Sequence, residues 1–522
     1  MKKRSKKIKI LIKVQGGFGT VLIRANYVYC LYQYLDDERI QIDVIGHKSD
    51  EMNDAIFSGV TGISAYYPED CWDQKKKEKY HLVFVLDLYP CIESCEDRIC
   101  KLNCRLTRLI QEWRKLRRDS SYSEYFRNIR EAKPYEFRKL IDKNKTVLNS
   151  ADISGELDIG NAYSMPVQIW KNGDSVLNRF GLEKGKYITV QRGINPKLGT
   201  TESPKMWSKL NYEGLIRIIK EHYPEYKIVQ LGESLSHCKA LSGIDISAVG
   251  KTDWDDLKVL LKYAKLHIDG ECGMVHLRKA LNGGPSVVLF GITPKEFFGY
   301  DGNINISGDG CPTFCAEIAD GWEYRCVRGF DEAPCMESIK PEMVFEKIER
   351  FFEGDLTVLD KRDGKNFWTK NYEEIMEKYG GMIDKEYAEE WFNKQHIFFY
   401  ELTEVNVSQL KATVYQGAGE WRLIDIVDTP AYAYVVGEKD IYKRNMMLRE
   451  KELSDNVHSL KRYDELLCSL EKRDKKVLII VDEQNIIKDG QHRAAWFMAK
   501  NGENSRIPAL KVYLQHDNLE TI

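Results

Sequence analysis

Short apolar runs alternate with helical patterns through the first third of the chain. Lys9–Val14 is apolar enough for a buried strand, the loop Gly16-Gly17-Phe18-Gly19 follows, and Val21–Leu35 reads as a helix. Gln41–Gly46 and His81–Leu86 read as further strands. Strands alternating with helices predict a parallel, doubly wound sheet. Residues 102–145 are charged and helical. The arginines at 105, 108, 114, 117 and 118 fit a solvated helix face.

A second alternating unit begins near Lys186. Tyr187–Val190 is a predicted strand, and Asn211–His222 a helix with Leu215, Ile216 and Ile219 on one face, stopped by Pro224. Lys227–Leu231 is the next strand. Thr252 or Asp253 can cap a helix carrying Leu257, Leu260, Leu261 and Ala264. Leu266–Ile268 and Ser286–Phe290 are strands flanking a helix over Met274–Leu281, and Pro341–Phe352 closes the unit as a helix. The composition then turns polar and aromatic to about residue 395, as a helical connector would. A further strand and helix pattern follows, with no internal repeat.

A chain of 522 residues exceeds what one core organises, so two or three domains are expected. With 43% hydrophobic and 30% charged residues it is an ordinary globular chain. A net charge of −2 advertises no nucleic-acid partner. No apolar run reaches the roughly 20 residues that cross a bilayer. The basic start, MKKRSKKIKILIKV, reads as a strand entrance and not a signal peptide, and leaves room for contact with an anionic membrane surface. Thirteen cysteines without an export signal suit reduced thiols and a cytoplasmic location.

The second unit carries the clearest chemistry. Strand Leu266–Ile268 runs through Asp269-Gly270-Glu271-Cys272-Gly273 into the helix at Met274. First-turn N–H groups and the helix dipole make an anion site that suits a nucleotide diphosphate, at the strand ends where such sheets bind ligands. Glu271 is placed to accept from ribose or sugar hydroxyls. His276 lies in the first turn and, taken alone, reads as a satisfied, half-buried histidine. Lys205 can neutralise a phosphate as a point charge. Taken alone, it is as well read as a surface lysine beside a packing tryptophan.

Together, Gly16-Gly17-Phe18-Gly19, Lys205-Met206-Trp207, IVQLG at 228–232 and ECGMVHLRKALNGGPSVVLFG at 271–291 resemble glycosyltransferase family 9, the heptosyltransferase-like enzymes, over residues 8–353. The resemblance implies a GT-B fold of two facing Rossmann-like domains, an acceptor domain over 1–175 and a nucleotide-sugar domain over 176–355. Transfer would be inverting and metal-independent. A heptose or hexose would pass from a nucleotide-diphosphate donor, held by Lys205, Glu271, Gly273, Met274 and His276, to a glycan or protein acceptor near Gly16, Gly17, Gly19 and Thr20. Two departures stand out. The family usually has an acidic base directly after the first glycine loop, where this chain has Thr20. It also usually has Asp where this chain has Glu271. Thr20 cannot serve as a base at neutral pH. Asp87, at the end of the third strand, is the substitute base to weigh against a plain turn residue.

Cys311, Cys315, Cys326 and Cys335 fall in one loop-like stretch and can complete a tetrahedral thiolate site for a structural zinc or iron ion. A similar insertion in the autotransporter heptosyltransferases looks like an iron finger. Cys91, Cys95, Cys100 and Cys104 stand at near-helical spacing and read first as small apolar residues on one helix face, with a second metal site as the lesser alternative.

The last segment, VLIIVDEQNIIKDGQHRAAWFMAK at 477–500, offers a strand, a turn near Glu483, and Asp489-Gly490-Gln491-His492-Arg493 leading into a helix. Gly490, His492 and Arg493 form a compact phosphate cradle. The plain reading caps a helix and pairs Arg493 with a carboxylate. The stretch resembles the ParB/sulfiredoxin-like superfamily, which implies a small α+β domain over 396–522, joined by the connector at 356–395. With ATP and Mg²⁺, Asp489 and Glu483 would carry phosphotransfer to a sugar or glycan. Two rivals remain: a lapsed sugar-nucleotide binder with a regulatory nucleotide domain, favoured by Thr20, and a ParB-like nucleic-acid-associated protein.

Overall fold

The computed structural model describes residues 6–160, 162–193, 203–234, 238–311, 314–317, 321–361, 397–453, 460–472, 478–482 and 484–514. The chain divides into two compact units, Met1–Asn366 and Phe367–Ile522. Most of the connector expected over 356–395 lies outside the described residues, as does Glu483.

The first unit holds two sheets. The first is built from β1 (Ile8–Val14), β2 (Ile40–Ile45), β3 (Ile63–Tyr67), β4 (Leu82–Leu86) and β5 (Pro90–Cys95), in the order β3-β2-β1-β4-β5. The pairs β2–β3, β1–β2 and β1–β4 are parallel, and β5 runs antiparallel at the edge. The apolar run of β1 is continuous because both faces are covered: Ile8, Ile10, Leu11 and Ile12 are wholly buried. Of the two lysines that interrupt it, Lys9 and Lys13, the second pairs with Glu69 at 3.2 Å. The helix after the glycine loop begins at Phe18, one turn earlier than the apolar pattern signals.

The second sheet is all parallel: β6 (Tyr187–Gln191), β7 (Lys227–Leu231), β8 (Ile246–Ser247), β9 (Leu266–Gly270), β10 (Ser286–Phe290) and β11 (Ile304–Ser307), in the order β11-β10-β9-β6-β7-β8. Helix Lys209–His222 buries Tyr212, Leu215, Ile216 and Ile219 against this sheet's core. Helix Trp254–Tyr263 starts at a capping box between Asp253 and Asp256. Asp253, not Thr252, is the cap.

Two expectations about the region after β4 are corrected. Cys91 and Cys95 lie on the edge strand β5, Cys100 in a short helix, and Cys104 begins the next helix. The four cysteines share no helix face. A turn at Asp87–Tyr89 reverses the chain straight after β4, and Pro90, which cannot donate to a ladder, is tolerated at an edge. The arginine-rich face of helix Cys104–Arg118 is exposed, yet it is also tied down. Arg105 and Arg108 pair with Asp36 and Glu156, Arg114 pairs with Asp97 at 2.8 Å, and Arg117 donates to the Ile92 carbonyl.

The two halves of this unit meet through glycines. A Cβ on Gly19 would lie 2.6 Å from His276 Cδ2, and one on Gly273 would lie 2.6 Å from Phe18 Cδ1. The N-terminal ends of helices Phe18–Leu35 and Gly273–Ala280 therefore approach each other as closely as glycine permits. Phe137 packs on Phe297 at 5.0 Å between centroids, and Val147 N donates to the Phe297 carbonyl at 2.9 Å. The crossing segment is latched by buried Lys258, whose Nζ donates to the Gln168 carbonyl at 2.7 Å, and by Asp255, which accepts from the N–H groups of Trp170 and Lys171.

The second unit has a four-stranded sheet in the order β12-β17-β15-β16, from β12 (Ile397–Asn406), β15 (Ile479–Val481), β16 (Ile487–Asp489) and β17 (Arg506–Leu514). A separate hairpin joins β13 (Lys411–Gly417) to β14 (Glu420–Asp425). Its core gathers Val405, Leu410, Tyr434, Tyr463, Ile479, Ala494 and Met498. This is the α+β composition expected from the sequence.

Candidate functional site

A cleft of about 1450 Å³ opens in the first unit. Gly17, Gly19 and Thr20 line it from one half, and Lys205, Glu271, Gly273, Met274 and His276 from the other. Cys272 ends the turn after β9 in extended conformation, and helix Gly273–Ala280 starts with no side-chain cap. Its first-turn N–H groups and positive dipole end are therefore left for the cleft.

Lys205, Glu271 and His276 form one chain of contacts. Lys205 Nζ stands 2.5 Å from Glu271 Oε2, and His276 Nε2 lies 3.2 Å from Glu271 Oε1. Burial pushes the Glu271 carboxyl up, but Lys205 and His276 outweigh it and hold the group at about 2. The contact is thus ionised throughout the neutral range. Its contribution is present above the ordinary carboxylate pKa and fades only as pH falls through 2. On the other side, His276 Nδ1 is 2.6 Å from the Tyr300 hydroxyl, which is 3.4 Å from that of Tyr163. The Glu271 and Tyr300 contacts on its two nitrogens hold the ring in place.

Beneath this chain lies a polar layer that sequence reasoning missed. The Cys272 thiol donates to Asp269 Oδ2 at 2.7 Å. The Gln191 amide, in the orientation that satisfies its neighbours, donates to both Asp269 oxygens and accepts from Gly193 N. Burial and the Asp269 carboxylate push the Cys272 thiol well up. A cysteine at a helix N-terminus is usually activated; this one is held as a thiol. Trp207 is an anchor: it is buried, and its indole N–H donates to the Ile339 carbonyl at 2.8 Å. Phe18 and Trp254, both lining the cleft, pack with ring centroids 4.8 Å apart and planes tilted by 41°.

No family model matches the chain. It is 28% identical over 190 residues to lipopolysaccharide heptosyltransferase 1 of Campylobacter coli, a match covering 34% of this chain and 52% of that protein. The chain thus spans about half the length of that curated relative. Solved structures that overlay on it include an E. coli ADP-heptose lipopolysaccharide heptosyltransferase II, with TM-score 0.41, 14% identity, and 66% and 99% of the two chains covered. Another is the iron-containing dodecameric glycosyltransferase TibC of enterotoxigenic E. coli H10407, with TM-score 0.43, 13% identity, and 67% and 77% covered.

The remaining predicted residues lie elsewhere. Gly16 adopts φ +120°, with Thr20 filling the space where its side chain would be. Asp87 is not in the cleft lining. It follows Leu86, which registers with Val14, so it stands one strand across from the glycine loop. Lys133 is 3.7 Å from it.

Of the four clustered cysteines, Cys311 and Cys335 hydrogen-bond to each other, and Cys315 and Cys326 are close enough to interact electrostatically with them. The Cys335 contact, against the cost of burial and with help from Arg328, lowers the Cys311 thiol to about 6. Among the described residues no His, Cys, Asp or Glu group has ready metal-ligand geometry.

In the second unit, Gly490 is left-handed at φ +93° and precedes helix Gln491–Asn501. Arg493 pairs with Asp489 at 2.5 Å, and His492 Nε2 is 2.7 Å from the Tyr442 hydroxyl, with its ring against Tyr463. The DGQHR loop therefore satisfies much of its own polarity internally.

Proposed function

We propose that the first unit is a nucleotide-sugar glycosyltransferase whose donor binds at Lys205, Glu271, Gly273, Met274 and His276, with Glu271 accepting from ribose or sugar hydroxyls. The observation that carries this reading is the uncapped N-terminus of helix Gly273–Ala280, facing a large cleft beside a lysine and a carboxylate–histidine pair. The partial sequence similarity to a heptosyltransferase supports the same class. Lys205 and the helix N-terminus receive the charge that develops on the leaving diphosphate. Asp87 takes the acceptor hydroxyl proton as that oxygen bonds to the anomeric carbon. The bond from carbon to the diphosphate oxygen breaks, and its electron pair leaves with the nucleotide. A heptose or hexose is the sugar class, and a glycan or protein the acceptor class. Lys205→Ala should weaken nucleoside diphosphate binding by about one to two decades, since a charge-assisted contact contributes roughly 1.5–3 kcal/mol. Calorimetry with ADP, UDP and GDP checks this, and unchanged affinity refutes the assignment.

Thr20 favours a second reading, a sugar-nucleotide binder without turnover. Donor binding without diphosphate release would select it.

We further propose that the four thiols of Cys311, Cys315, Cys326 and Cys335, which the structure does not hold in ready ligand geometry, draw together around one structural zinc or iron ion. One metal ion per chain after reducing, chelator-free purification is expected by elemental analysis, and its absence contradicts the proposal. For the second unit we propose nucleotide binding at Gly490, His492 and Arg493, regulatory or coupled to phosphotransfer through Asp489. Phosphate must there compete with Asp489 for Arg493.

A further inference from the structure

The region between Asp87 and the cysteine-bearing loop carries a feature that donor binding does not use. Lys133, on helix Ile129–Asp142, lies 3.7 Å from Asp87 Oδ2 and 3.5 Å from Glu317 Oε1. Asp87 and Lys133 belong to the half built on the first sheet. Glu317 belongs to the loop that follows β11, which is anchored by the Cys315 and Ala316 N–H groups on the Ile292 carbonyl. Glu317 holds φ +64°, a left-handed conformation that a non-glycine residue keeps only when its surroundings require it. The same loop reaches the donor side, where Ser203 Oγ donates to the Glu323 carbonyl at 2.6 Å and Glu323 lines the cleft. One lysine thus ties a carboxylate beside the acceptor loop to a loop that borders the donor.

We propose that Lys133 is a positioning residue for transfer: it holds the Asp87 carboxylate in place from a bridge to Glu317, which belongs to the other half. The inference rests on the transferase reading given above. The groups facing Asp87 are Arg24, Tyr125, Cys91, Lys133 and Glu317. Arg24 is buried, donates to Ser150 Oγ at 3.2 Å, and has no acceptor for its Nε among the described residues. Lys133 is the partly exposed cation of the set, with its side chain 24% accessible. It is therefore the one that can yield to an acceptor hydroxyl without unfolding the core.

The test uses the full chain with ADP-, UDP- and GDP-linked sugars, water as acceptor, and release of nucleoside diphosphate as readout. Lys133→Met should keep donor affinity within about twofold while kcat falls roughly tenfold to a hundredfold, the scale of a misplaced catalytic group. Lys133→Arg should restore kcat. A wild-type kcat in Lys133→Met, or a loss of donor affinity as large as the loss of kcat, overturns the inference. A wild-type chain that releases no diphosphate from any of these donors contradicts the transferase reading itself, and removes the base that Lys133 is placed to serve.

Discussion

Asp87→Asn is expected to lower sugar transfer by about 10²- to 10⁴-fold, the usual contribution of a general base, while leaving donor affinity within a few-fold. Thr20 has no titratable proton at neutral pH, so the acceptor hydroxyl needs a carboxylate from elsewhere. Asp87 is buried to 9% exposure and sits one strand across from the glycine loop, at the C-terminal strand end where ligands of such sheets bind. The amide keeps size and shape but cannot hold the proton. Because Asp87 does not line the donor cleft, calorimetry with a nucleoside diphosphate should not register the change. Steady-state kinetics should. Equal rates for the variant and the parent would move the base to another residue.

The largest stability effect is expected at Arg278. This side chain is wholly buried and has no carboxylate partner in the contacts described. Its guanidinium instead ties its own helix to two other segments: it donates to the Leu261 carbonyl and to that of Ala264 at 3.0 Å, both at the end of helix Trp254–Tyr263, and to that of Pro285 at 3.2 Å. Burial pushes it down to about 10, so it is still charged at neutral pH. Arg278→Met fills similar space but leaves these carbonyls unpaired in the interior. Each stranded group costs about 1–3 kcal/mol, so a loss of roughly 3 kcal/mol or more is expected. The melting temperature should drop by on the order of 5–10 °C. Arg278→Lys should recover part of this. A Tm within two degrees or so of the parent would mean that water replaces the guanidinium.

The β9–helix segment was legible in the sequence for a physical reason. Strand, turn and helix N-terminus fall within Leu266–Ala280, so local spacing dictates geometry there. The parallel core strands were legible because both faces are buried and the apolar runs are unbroken. What escaped was non-local or marginal. β3 and β5 are edge strands with mixed burial, and Cys91 to Cys104 imitate a helical period while the chain in fact reverses at Asp87. Tyr300 completes His276 from 24 residues away, and Gln191 reaches Asp269 from another strand. No spacing rule connects such pairs before the sheet is assembled. In the second unit the residue types of the phosphate cradle were evident, but the Arg493–Asp489 pair and the Tyr442–His492 contact depend on packing.

The central claim, that the donor diphosphate sits on the N-terminus of helix Gly273–Ala280, is tested most directly by amide hydrogen exchange on the full chain with and without ADP-, UDP- and GDP-sugars. Slower exchange at Gly273, Met274 and Val275 in the presence of one of these donors is predicted. Binding of a donor with no added protection at those three amides would contradict the account.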